Sequence, residues 1–151
     1  MSNHFFAAYG VGVNRTEMAK RCPTAKLLGA SALRNFRLVF RGSNAAAVAN
    51  IEPMKGYTVP VLVWEITMAD EAMQDLYVGY PHLFKKQQFR IRLDGELLSC
   101  MTYVMRGDRP LGKPSAFYYS SLLEGYKSAG FDVDILRSAV SESAEPAERE
   151  T

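Results

Sequence analysis

The chain has 151 residues, of which 48% are hydrophobic and 23% charged, and its net charge is +2. This is the length and balance of one globular domain, able to hide about 70% of its unfolded surface in a core that leaves room for a concave site. It excludes a membrane-spanning helix, since no apolar run approaches roughly 20 residues, and it offers no basic excess that would call for nucleic acid.

In chain order, Phe5 to Tyr9 reads as a short buried strand. It enters Gly10-Val11-Gly12-Val13-Asn14, where two glycines permit positive φ and close backbone approach. Asn14, with Glu17 three residues on, predicts the start of a short helix through Lys20, which Pro23 stops. Phe36, Leu38 and Phe40 alternate with Arg37 and Val39 as a half-buried strand, and 42–50 is small and polar, a loop. Val59 to Ile66 is almost continuously apolar and β-branched, the pattern of a central strand, with Pro60 tolerated near its start. Thr67 and Asp70 form a capping signal for a helix carrying Ala69, Ala72, Met73 and Leu76, closed by Gly79 and Pro81. Phe89, Ile91 and Leu93 alternate with Arg90 and Arg92, then Asp94-Gly95 turns the chain into a second strand from Glu96 to Met105, a two-residue hairpin. Ser115 caps a helix with Tyr118, Tyr119, Leu122, Leu123 and Tyr126 on its apolar positions, and a last helix follows Asp132. From Ser141 the composition is Ser, Glu, Ala, Pro and Arg, so the expectation is one domain over 1–140 and a disordered tail over 141–151. The class is α+β with a curled mixed sheet.

Cys22 and Cys100 permit neither a disulfide framework nor paired-cysteine metal spacing, and read as small buried hydrophobes. His4 and His82 stand too far apart to read as a ligand cluster, so no metal and no cofactor are expected. The N-terminus has neither a basic stretch nor a long apolar one, and a reducing cytoplasm is the expected setting.

Several blocks then combine in one order: Phe6 to Gly10; Met18, Arg21, Cys22, Pro23 and Ala25; Ala49-Asn50-Ile51; Val59-Pro60-Val61 with Trp64 to Thr67; Gly79-Tyr80-Pro81; and Tyr118 with Leu123 to Tyr126. Their order and spacing, across residues 5 to about 137, resemble the γ-glutamylcyclotransferase-like (AIG2-like) family. The resemblance implies a small mixed β-barrel flanked by helices, with a pocket at one end. It also implies an intramolecular acyl transfer, in which the α-amine of a γ-glutamyl group attacks its own side-chain carbonyl and releases 5-oxoproline. Such a reaction needs backbone donors at the acyl oxygen and a carboxyl that moves the proton. In the family these are a Tyr-Gly-Ser-Asn loop and a Glu. Here Tyr9 and Gly10 persist, Val11 and Gly12 replace Ser and Asn, and Val78 stands where the Glu would be.

No catalytic residue is therefore expected; Asp75, three residues before Val78, and Glu65 are the fallback acids. The expected ligand-binding set is Tyr9, Gly10, Val11, Gly12, Val13, Asn14, Arg21, Tyr80, Phe84, Lys85 and Tyr118. The loop suits an anion or carbonyl, the rings suit stacking, and the cations suit carboxylate or phosphate. The function expected is a non-catalytic protein that senses or sequesters a small molecule, anionic or nucleotide-like, with no membrane or nucleic-acid partner; a homo-oligomer is compatible with it. The alternatives are a cyclotransferase with a relocated acid/base and a protein-interaction module with a vestigial pocket.

Overall fold

The computed structural model describes residues 4–144. Five strands form one sheet: β1 His4–Ala8, β2 Lys26–Arg41, β3 Val48–Ile66, β4 Phe84–Leu93 and β5 Glu96–Met105, in the order β2-β3-β1-β5-β4. Four helices accompany it: α1 Arg15–Arg21, α2 Met68–Val78, α3 Ala116–Ala129 and α4 Val133–Glu142. β1 is antiparallel to β3 and parallel to β5, which places the N-terminal strand at the centre.

The expected α+β class holds, but the barrel is not closed. The edge strands β2 and β4 approach each other, with Ser31 Oγ donating to Arg92 O at 2.6 Å and the rings of Phe36 and Phe89 edge to face at 5.2 Å. No ladder joins them. The sheet curls as twisted strands do and stops short of closure.

Local signals explain the elements. Thr67 and Asp70 make a complete capping box on α2, and Gly79 ends it at φ 84. Asn14, Ser115 and Asp132 cap α1, α3 and α4 through their side chains. Asp94 (φ 50) and Gly95 (φ 84) make the tight β4–β5 turn.

Three expected boundaries move. The 42–50 loop is shorter, because Val48, Ala49 and Asn50 already pair with Arg41, Phe40 and Val39. The β4 strand begins at Phe84 rather than Phe89, since the polar run Lys85 to Gln88 pairs with β5 as an edge strand that tolerates solvated side chains. Helix α4 continues to Glu142, and Ser143 is buried with its Oγ accepting from the Phe40 N–H at 2.9 Å. That contact holds the end of the helix against β2, so order extends past the boundary expected at Ser141. Residues 145–151 of the expected tail lie outside the described residues.

The core lies between the sheet and the α3–α4 pair, with Phe40, Ile51, Leu122, Tyr126 and Leu136 fully buried. Cys22 and Cys100 are buried and free, and burial pushes both thiols up to about 11. Among the described residues no helix is long and apolar enough to cross a membrane, and no three of His, Cys, Asp and Glu are grouped to share a metal ion.

Candidate functional site

Beyond the end of β1 the sheet opens into a cavity of about 340 Å³. Phe6 and Ala7 of β1, the turn Tyr9 to Gly12, and Val48 and Ala49 of β3 form one side. Gln74, Tyr77 and Val78 of α2, followed by Leu83 and Phe84, form the other; Thr102 and Tyr103 of β5 and Tyr118 of α3 complete it. Asn50 secures the frame, its side chain accepting from the Met105 N–H across β3 and β5 at 2.9 Å.

Turn and helix positions are fixed by specific contacts. Tyr9 donates to Tyr103 O at 2.7 Å, and Trp64 Nε1 donates to Gly12 O at 3.0 Å. Of the two purposes read for the glycines, positive φ is not met and close approach is, at Gly12. Gly10 has φ −103, and Gly12 is likewise absent from the positive-φ residues. A Cβ on Gly12 would stand 2.7 Å from the Ala8 Cβ, so glycine there permits close packing on β1 rather than a left-handed backbone.

Val78, where the resemblance puts the family's acid, lies on the cavity wall at the last residue of α2. No Asp or Glu among the described residues lines that wall. Asp75 points elsewhere. Its Oδ2 pairs with Lys86 Nζ at 2.9 Å and its Oδ1 accepts from the Tyr103 hydroxyl at 2.6 Å. Lys86 Nζ also meets Glu71 Oε2 at 2.6 Å and covers the Tyr80 ring at 4.2 Å, and Glu71 in turn bonds His4. Burial pushes the Glu71 carboxyl up, but the hydrogen bonds from Lys86 and His4 outweigh it and leave it below its ordinary value. Burial and the Asp75 carboxylate both drive the Tyr103 phenol well above the ordinary tyrosine range, which makes it a neutral donor. Glu65, the other fallback acid, sits half-buried on β3 and is not part of the cavity wall. Strand alternation explains it: the buried Trp64 and Ile66 take the opposite face.

Of the residues expected to bind ligand, Tyr9, Gly10, Val11, Gly12, Phe84 and Tyr118 line the cavity. Five do not. Val13 packs under α3, where its carbonyl stands 2.7 Å from the place a Cβ on Gly125 would take. Asn14 caps α1 and donates to Ser121 O at 3.0 Å, and is thereby committed to structure. Tyr80 lies under Lys86, and Lys85 is exposed on β4, on the opposite side of the strand from buried Phe84. Arg21 stands beside the cavity, its Nε on Gln74 Oε1 at 3.2 Å and its guanidinium over the Tyr77 ring at 4.1 Å. Sequence reasoning missed Gln74, Tyr77, Leu83, Thr102 and Tyr103. The Leu76-to-Pro81 segment pointed to the neighbourhood of the first three; no local signal marked Thr102 and Tyr103, whose role follows from β5 lying next to β1.

A family model described as gamma-glutamyl cyclotransferase, AIG2-like, matches residues 7–124. No curated protein matches the chain by sequence. Among solved structures, one described as a gamma-glutamyl cyclotransferase is 20% identical with a TM-score of 0.80, over 96% of this chain and 89% of that one. An uncharacterized protein from Homo sapiens is also 20% identical at TM-score 0.80, over 97% and 90%. YkqA from Bacillus subtilis is 12% identical at TM-score 0.77, over 91% of this chain and 53% of that chain. At these identities the likeness to solved structures is one of fold.

Proposed function

Because the chain belongs to the gamma-glutamyl cyclotransferase, AIG2-like family, we propose that it keeps that family's pocket as a binding site for a small anionic molecule and does not carry out the acyl transfer. The observation that carries this reading is Val78 on the cavity wall, which no Asp or Glu among the described residues lines. An isopropyl group cannot take a proton from an attacking amine or give one to a leaving amine, a step worth typically 10²–10⁴-fold. The turn side is altered too, since Gly12 packs so close to Ala8 that no side chain fits there. Arg21 supports the anionic character of the ligand, because its buried Nη2 has no partner among the described residues. The exposure of Lys85 weighs against a multi-phosphate ligand.

Two measurements test this. Purified protein incubated with γ-glutamyl amines is expected to release no 5-oxoproline; turnover on the order of 1 s⁻¹ or more would overturn the reading. Native mass spectrometry, followed by a thermal-shift screen of organic anions, is expected to find a binder. A ligand at 100 times its Kd adds about 2.7 kcal/mol of stability, and a flat response throughout would favour a vestigial pocket.

One observation favours the second reading, a cyclotransferase with a relocated acid/base. The Asp75 carboxylate lies one hydrogen bond behind the cavity-lining Tyr103. If 5-oxoproline does appear, Tyr103→Phe and Asp75→Asn are expected to abolish it, and Val78→Glu to leave it unchanged.

A further inference from the structure

The polar groups around the cavity are unevenly matched. Tyr9 donates to Tyr103 O, Thr102 Oγ1 to Ala7 O at 2.7 Å, and Tyr103 to Asp75, so all three hydroxyl protons are engaged. Three groups are not. The Tyr118 hydroxyl accepts from the Ala49 N–H at 3.1 Å and keeps its own proton to give. Burial, foremost, pushes this phenol up to about 12; the Ala49 amide and Arg21 pull it back and Tyr77 adds to it, so it is a neutral donor at pH 7. Gln74 is 3% exposed, and its Oε1 takes Arg21 Nε at 3.2 Å and Cys22 Sγ at 3.8 Å. A guanidinium has no acceptor, so the oxygen must face it and the amide NH₂ turns away. The third is Arg21 Nη2, buried and without a partner among the described residues.

Among the described residues, the three unmatched groups in this corner are therefore all donors, and the charge they carry, that of Arg21, is positive. The neighbouring carboxylates are taken, Asp75 by Lys86 and Tyr103, and Asp70 by Thr24 and the Thr67 N–H. An amino acid or γ-glutamyl compound would bring an ammonium group into the cavity with no anion on the wall to receive it, a costly burial. The remaining wall is apolar, chiefly Phe6, Tyr77, Val78, Leu83 and Phe84, and about 340 Å³ is near the lower end of small-molecule sites.

We infer that the cavity takes a compact apolar or aromatic carboxylate lacking an amino group, its carboxylate held by the Tyr118 hydroxyl and the Gln74 amide under the charge of Arg21. This deepens the binding reading above and rests on it.

The test is isothermal titration of the full chain at pH 7 with three molecules of one shape: 3-phenylpropionate, its neutral amide 3-phenylpropionamide, and phenylalanine, which adds the ammonium. The carboxylate is expected to bind at least tenfold more tightly than either other probe. Arg21→Gln is expected to cut its advantage over the amide below threefold while the amide's own affinity holds. Should that variant not fold, Tyr118→Phe carries the same comparison, with the carboxylate losing about tenfold and the amide less. If the amide or phenylalanine binds as tightly as the carboxylate, or the advantage survives both substitutions, the inference fails and the binding reading stands. If none of the three binds, the inference fails, and the binding reading falls with it only if the screen of organic anions is flat as well.

Discussion

The two sides of the cavity are built differently. The side made by β1, its following turn and α3 is held by buried hydrogen bonds, Tyr9 to Tyr103, Trp64 to Gly12 and Asn14 to Ser121, and by backbone contacts too close for any added atom at Gly12 and Gly125. The side made by the end of α2 is apolar and open to solvent, with Leu76 76%, Tyr77 52% and Leu83 40% exposed. It is tied down by an ionic chain on the outside, from His4 through Glu71 and Lys86 to Asp75. One side is fixed by packing and the other by charge. A site of this kind offers a rigid floor beneath a wall whose position depends on a few polar contacts.

Substitutions should separate the two. The largest effect is expected at Trp64→Ala, which empties a buried ring volume and frees the Gly12 carbonyl; chemical denaturation should show a loss of about 3–5 kcal/mol. Gly12→Ala forces a Cβ to 2.7 Å from that of Ala8 and is expected to cost about 1–3 kcal/mol. A loss as small as that of an exposed-site change would mean the floor is adjustable after all. On the opposite wall, Asp75→Asn is expected to cost about 1 kcal/mol, since Tyr103 still finds an oxygen and Lys86, losing one of its two carboxylates, keeps Glu71. Leu76→Ser should fall within about 0.5 kcal/mol, because the side chain is already in water.

Acid gives the comparison a second axis. Glu71 on α2 and Glu52, which Arg41 and Arg37 hold on β3, both have carboxyls below the ordinary glutamate value. A lowered folded value means stability that is present above about pH 4.5 and drains away as pH falls through the folded values. Glu71→Gln is expected to flatten part of that acid limb in a pH series of melting temperatures. Lys86 answers at the other end. Burial lowers its value, but Glu71 and Asp75 raise it further, so its contribution is complete below 10.5 and is lost only as pH climbs past the folded value. A melting curve indifferent to acid in the wild-type chain would show that charge does not hold the α2 wall.

Local chemistry in the sequence sufficed wherever a single residue has few alternatives. Thr67 with Asp70, Asn14, Ser115, and Asp94 with Gly95 fix helix starts and the hairpin turn because their side chains or backbone freedom satisfy neighbouring groups within a few residues. The order of the family blocks located the turn after β1 and the end of α2, and with them the absence of a carboxyl at residue 78. Strand lengths were less legible, since β2 and β3 continue through polar stretches held by ladder hydrogen bonds that no local pattern reports.

What the sequence settled by itself was chemical inventory: a valine at residue 78, glycines in the first turn, tyrosines in quantity. What only the tertiary structure decided was neighbourhood. Tyr103 lines the cavity because a parallel pairing sets β5 beside β1, from Phe6 to Met101. Lys85 faces water while Phe84 faces inward, by one step of a pleat. Gln74 and Tyr118 line one cavity from two helices, with Arg21 of a third bonded to Gln74, and no local pattern in the sequence reports that gathering.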